Sequence, residues 1–169
     1  VLHLVHEVAM ERGIDKVNVV FRDEELIPQV VIDFVDKYRQ EPWVDMKYLT
    51  VPLASTKFIL GQAYEYVQWD PNRNWVRPKP EFGLNNVDIG FPADRVWDQY
   101  STDGLMASWY KGKVAIVNGI RASESLIRYR ASVNKMNENY INASGSKKAM
   151  MVKPIYDWEE NDIFRYFYD

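Results

Sequence analysis

Three side chains in the stretch 118–130, NGIRASESLIRYR, have the types and spacing to hold an anion. Arg121, Glu124 and Arg128 stand at i, i+3 and i+7, so on one helix they share a face. A guanidinium presents a planar fork of donors that suits phosphate or sulfate. A carboxylate between two such forks can hold one in place while the other faces the ligand. Ser123 reads as the N-cap of a helix, which puts Glu124 in the first turn, where the dipole favours negative charge. Free N–H groups at such a helix start add to an anion receptor. The plain alternative is a surface helix with ordinary ion pairs, each worth on the order of 0.5 kcal/mol.

The residues just before this stretch explain why a ligand would come there. Residues 113–120, KVAIVNGI, hold a short continuous apolar run, as expected of a central parallel strand. Gly119 lets the backbone turn tightly after it. Ligands of open α/β sheets bind just past the carboxyl ends of strands. The charge distribution agrees. The chain carries 21 basic and 24 acidic residues, a net charge of −3. Between residues 104 and 157, nine basic residues face three acidic ones, a local +6 within an otherwise acidic protein. A local positive field suits a small anionic ligand, and a solvated basic face is the other reading.

Other chemistries are narrowed by what the chain lacks. With no cysteine, disulfides, thiolate nucleophiles, iron–sulfur ligation and cysteine-type zinc sites have no donors here. The two histidines, His3 and His6, read His-Leu-Val-His-Glu, which matches neither metalloprotease order, and are expected as helix-surface residues. No window approaches 18 uninterrupted apolar residues and no secretory signal is evident, so a cytoplasmic protein with no membrane association is expected.

The elements that must position the site read as follows. A helix is expected over residues 1–11, a strand over 16–21, an amphipathic helix over 28–40 with Pro28 in its first turn, and a strand over 44–53. That alternation argues for a parallel sheet with covering helices. Residues 54–105 show little clean periodicity and read as an irregular insertion, a lid or a surface for a protein partner. Its 68–83 segment, QWDPNRNWVRPKPEFG, carries two tryptophans and three prolines. Interleaved Trp and Arg could stack bases of a single-stranded nucleic acid, or form an aromatic mini-core pinned by prolines. A helix is expected over 103–112, another over 122–136, a polar loop over 137–148, and a last helix after residue 158. Asp157 and Glu160 would cap that helix, and Ile163, Phe164 and Phe167 would form its buried face.

Two segments carry a family resemblance. The 118–130 stretch resembles the Gly-(Ile/Val)-Arg-x-x-Glu-Ser-x-x-Arg segment of the phosphoadenosine-phosphosulfate reductase family. Residues 153–167, KPIYDWEENDIFRYF, resemble that family's Lys-Pro-Ile-(Tyr/Leu)-Asp-Trp segment, in the same order along the chain. Residues 3–25 resemble the helix and second strand that follow the family's phosphate loop. The insertion looks like the branch that carries a domain of unknown function. The resemblance implies an adenine nucleotide alpha-hydrolase-like α/β fold: a doubly wound, mostly parallel five-stranded sheet forming one nucleotide-binding domain over 1–169. The family's Ser-Gly-Gly-x-Asp-Ser loop is absent, and is expected just upstream of Val1, where the first helix starts without a cap.

The site residues then take roles by resemblance. Arg121 would face the sulfate or phosphate, and Glu124 would orient Arg121 or Arg128. Asp23 and Glu24, at the end of the 16–21 strand, would lie near the ribose or adenine. Lys153 and Asp157 would frame the far side, Asp157 being alternatively a plain helix cap. The ligand implied is ATP or an adenylyl sulfate, with magnesium accompanying ATP and with no zinc or iron–sulfur cluster. Cleavage or transfer at the alpha-phosphate or sulfur group would follow in the whole protein, while thiol-dependent reduction is not expected of a chain without cysteine. Two other readings stand beside this one: a non-catalytic regulatory or defence-associated module, and a single-stranded nucleic-acid binder.

Overall fold

The computed structural model describes residues 1–59, 62–133 and 140–168. The end of the expected 122–136 helix and the start of the 137–148 loop lie outside the described residues. The chain gathers into two compact units, His3–Gln99 and Tyr100–Asp169 with Val1–Leu2.

The first unit opens with helix α1 (Leu2–Glu11), ended by Gly13 at φ +68°, a left-handed backbone that costs glycine little. His6 stacks on Trp43 with ring centroids 3.9 Å apart, and His3 pairs with the Tyr38 hydroxyl at 3.0 Å. The histidines are thus committed to aromatic packing. Strand β1 (Val17–Arg22), helix α2 (Gln29–Arg39) and strand β2 (Val44–Leu49) follow. β1 and β2 pair in parallel from Val17 opposite Val44 to Arg22 opposite Leu49, with α2 as the crossover. Pro28 caps α2 in extended geometry (φ −60°, ψ 145°), since its missing N–H would be unpaired there in any case. Val17, Ile32, Val44, Tyr48 and Leu49 supply the buried apolar side chains of this βαβ unit.

Beyond β2 the expectation of an irregular insertion is corrected for residues 53–68, while residues 69–98 form no helix or strand. Leu53–Ile59 (β3) and Gln62–Gln68 (β4) pair antiparallel in register, a hairpin of two seven-residue strands. The long segment after it is pinned by backbone bridges. Leu84 N–H donates to Tyr48 and Thr50 N–H to Leu84, while Trp97 N–H donates to Pro52 and Ala54 N–H to Trp97, all at 2.8 to 2.9 Å. Buried Asn86 donates to the Ala93 and Arg95 carbonyls and accepts from the Trp97 indole. Side-chain amides and backbone bridges thus replace a ladder, which is why no periodicity announces this order.

In the second unit helix α3 (Gln99–Ser108) buries Thr102, Asp103, Leu105, Met106 and Ala107. Strand β5 (Val114–Val117) pairs in parallel with β7 (Ala149–Val152), and β6 (Ile141–Ala143) joins β7 antiparallel on its other side. β6 replaces part of the expected loop. Gly145, just after it, allows no side chain: a Cβ there would sit 2.3 Å from the Tyr100 carbonyl oxygen. The Gly145 N–H donates to Asp103 at 3.0 Å, tying that turn to α3.

Helix α4 runs Leu126–Val133 and helix α5 runs Glu160–Tyr168. On α5 the expected buried face is corrected, because Phe164 and Phe167 are exposed. The expected cap is corrected too: Asp162, not Asp157, accepts from the Glu159 N–H, at 2.8 Å. The architecture is mixed α/β, and the ladders among the described residues form three small sheets, of two, two and three strands. Among those residues no helix is long and apolar enough to cross a membrane.

Candidate functional site

The candidate anion element begins where β5 ends. Asn118 extends the ladder by donating its N–H to Val152 at 2.9 Å, and its side-chain oxygen accepts from Ile120 N–H at 3.3 Å. That local bond turns the chain over Gly119. Arg121 is extended, and a single 3-10 turn, Ala122–Glu124, follows. The continuous helix expected from residue 122 is interrupted at Ser125, which is extended at φ −163°. Ser125, not Ser123, caps α4, its hydroxyl accepting from Arg128 N–H at 3.2 Å.

The interruption does not separate the three charged groups. Glu124 Oε1 lies 3.5 Å from Arg121 Nε, and Glu124 Oε2 pairs with Arg128 Nη1. Glu124 also accepts from the Arg121 backbone N–H at 3.4 Å. One carboxylate is thus shared between two guanidiniums, which leaves the trio with an excess positive charge. Arg121 is the better covered, and Arg128 is half exposed.

Backbone bonds bring the two resembling segments together. Ala122 N–H donates to the Tyr156 carbonyl at 2.7 Å, and the Ser123 hydroxyl donates to the Trp158 carbonyl at 3.3 Å. Ser123 is therefore a tie between segments. Lys153 is buried at the end of β7, its N–H donating to Tyr140 at 2.7 Å, while Asp157 is exposed in the turn that follows.

Asp23 and Glu24 belong to the other unit, past the carboxyl end of β1, and they part company there. Glu24 is exposed. Asp23 is buried, accepting from the Tyr48 hydroxyl at 2.8 Å, from the Glu25 N–H at 2.8 Å and from Arg77 Nη2. Burial and the Asp23 carboxylate together push the Tyr48 phenol well above its usual value.

Sequence reasoning missed Glu25, the centre of this corner. It is buried and left-handed at φ +59°, and it accepts from the Trp69 and Val76 N–H groups at 2.8 Å each and from both ends of the Arg73 fork. Burial alone would raise its carboxyl, but the Arg73 fork and the two N–H groups outweigh it, so the group stays below the ordinary glutamate value. Trp69 is left-handed as well, at φ +53°, and its indole donates to the Asp23 carbonyl at 2.7 Å. The alternating Trp and Arg of the 69–77 segment were the available signal. The mini-core reading accounts for Trp69, Arg73 and Arg77, and a base-stacking surface loses those three to buried partners.

The phosphoadenosine phosphosulfate reductase domain matches residues 1–169, through both units. The chain belongs to the phosphoadenosine phosphosulfate reductase domain family. The chain is also similar to the uncharacterized protein YbdN of Escherichia coli (strain K12), at 27% identity over 179 residues. That alignment covers 98% of this chain and 43% of YbdN, so the chain spans less than half of that relative's length. No solved structure matches. Within the family's chain, the two segments joined through Ala122 and Ser123 are those on which the resemblance rested.

Proposed function

We propose that this chain is the nucleotide-site portion of a reductase-family protein, and that Arg121 and Arg128, set by Glu124, clamp the phosphate or sulfate group of an adenine nucleotide. What carries the reading is one carboxylate shared by two guanidiniums immediately past the carboxyl end of a parallel strand. Lys153 and Asp157 would flank the group from the 153–158 segment. The family's doubly wound five-stranded sheet and a cytoplasmic location belong to the same reading, as does the assignment of the 54–105 segment to a branch with its own insertion.

The ligand is ATP or an adenylyl sulfate. Guanidiniums fixed before the ligand arrives stabilise charge that develops on a transferring group, so alpha-phosphate cleavage or sulfur-group transfer by the whole protein fits the device. These 169 residues supply no thiol to accept sulfite. Magnesium would arrive on the ATP phosphates, since a triphosphate is normally carried as its metal complex. Calorimetric titration of the full-length protein with ATP and with adenylyl sulfate tests the site. Arg121→Ala is expected to abolish binding, and unchanged affinity in that variant refutes the assignment.

A further inference from the structure

Asn118–Gly119 is the one Asn-Gly pair in the sequence, and it forms the turn between β5 and Arg121. Such a pair carries chemistry of its own. The backbone nitrogen after an asparagine can attack the side-chain amide, and a glycine there has no side chain to hinder the approach. Gly119 is exposed, and its N–H makes no hydrogen bond among the described residues. The nucleophile is therefore open to solvent base.

The electrophile is set up as well. Asn118 Oδ1 accepts from Ile120 N–H at 3.3 Å, so the side chain is folded forward across the Gly119 peptide. That N–H points at the oxygen on which negative charge grows when the amide carbon is attacked, the place of an oxyanion-hole donor. The amide nitrogen, which must leave, makes no hydrogen bond among the described residues. The main chain is held just before this point, since Asn118 N–H donates to Val152 at 2.9 Å. The comparable Asp103–Gly104 pair lies inside α3, with its carboxylate buried and accepting from Gly145 N–H.

We infer that Asn118–Gly119 is a self-modification site, at which the folded chain converts Asn118 to aspartate and isoaspartate. The Gly119 nitrogen gives up its proton to solvent base and bonds to the Asn118 side-chain carbonyl carbon. The bond from that carbon to the amide nitrogen breaks, and the nitrogen takes up a proton and leaves as ammonia. Water then opens the cyclic imide. Opening at the side-chain carbonyl gives aspartate, and opening at the main-chain carbonyl gives isoaspartate. The sum is amide plus water to carboxylate plus ammonium, with nothing oxidised or reduced. Aspartate keeps an oxygen that can accept from Ile120 N–H, while isoaspartate adds a methylene to the main chain ahead of Arg121. Both put a negative charge into the turn that delivers Arg121, where one carboxylate already serves two guanidiniums. Weakened anion binding after conversion rests on the function proposed for Arg121; the conversion itself does not.

The test is to age the folded full-length protein in buffer and map its peptides by mass spectrometry, with isoaspartate scored separately. Position 118 should gain the mass of an amide turned to an acid ahead of the chain's other asparagines, faster as pH rises, because the attacking nitrogen must lose its proton. Gly119→Ala should slow it about tenfold or more, by crowding the attacked bond. That variant should fold, since its Cβ would lie 3.4 Å from Val1 Cγ2, an ordinary contact. By calorimetry, Asn118→Asp should weaken ATP binding roughly threefold or more, the scale of one unfavourable charge nearby in water. Conversion at 118 no faster than at the other asparagines, or equally fast in Gly119→Ala, overturns the modification site. Parent affinity in Asn118→Asp, where Arg121→Ala has lost binding, overturns its effect on the anion element. Parent affinity in Arg121→Ala with conversion at 118 intact refutes the proposed function and leaves the modification site standing.

Discussion

Arg121–Glu124–Arg128 and Asp23–Glu25–Arg73–Arg77 are built from the same two functional groups, yet they are opposites. In the first, one partly exposed carboxylate serves two guanidiniums, one of them half exposed. In the second, two carboxylates with no exposed side-chain surface each take a guanidinium, and backbone N–H groups fill their remaining lone pairs. Exposed pairs are screened by water and contribute about 0–1 kcal/mol. Breaking a buried pair strands a desolvated charge and costs about 3–5 kcal/mol. Incomplete pairing near solvent is a feature that can serve binding, while complete pairing away from solvent holds a loop in place.

The largest test of that contrast is Glu25→Ala, which leaves Arg73, the buried Trp69 N–H and the Val76 N–H without their acceptor. Urea denaturation should show a loss of about 3–5 kcal/mol. A loss under about 1 kcal/mol would make the two clusters alike. Next comes acid. Because the folded Glu25 carboxyl lies below its ordinary value of 4.5, its contribution is fully present above that pH and drains away as pH falls through the folded value. Midpoints measured below about pH 4.5 should therefore fall with pH in the parent and much less in Glu25→Gln. The smallest effect distinguishes the serines. Ser125→Ala should cost about 1 kcal/mol, as a lost helix cap does, and Ser123→Ala less, when the two melting curves are compared. Equal costs would deny Ser125 its capping role.

How much of this was legible depended on the range of the contact. The βαβ start and the Glu124 bridge rest on neighbours within about thirty residues, which patterning reveals, and β5, whose partner strand lies farther off, showed as a continuous apolar run. The β3–β4 hairpin hid because strand alternation there sits beside glycine and polar residues that read as loop. The break at Ser125 hid because two serines flank Glu124, and either could cap. Glu25 looked like the outer charge of an acidic loop tip, RDEE, because its partners Trp69, Arg73 and Val76 lie 44 to 51 residues away. Charge read along a chain does not say which carboxylate turns inward. The left-handed backbone at Glu25 and Trp69, a conformation that costs non-glycine residues of order 1 kcal/mol or more, gave no sign in the sequence either.

The mutual hold between those two left-handed residues also bears on how such a chain can change by descent. A shorter acid at position 25 would not span to the guanidinium, an amide would trade one acceptor for a donor facing donors, and a new residue at 73 would orphan the charge below it. Each of these changes breaks a contact of the corner, so its members are expected to be inherited as a block.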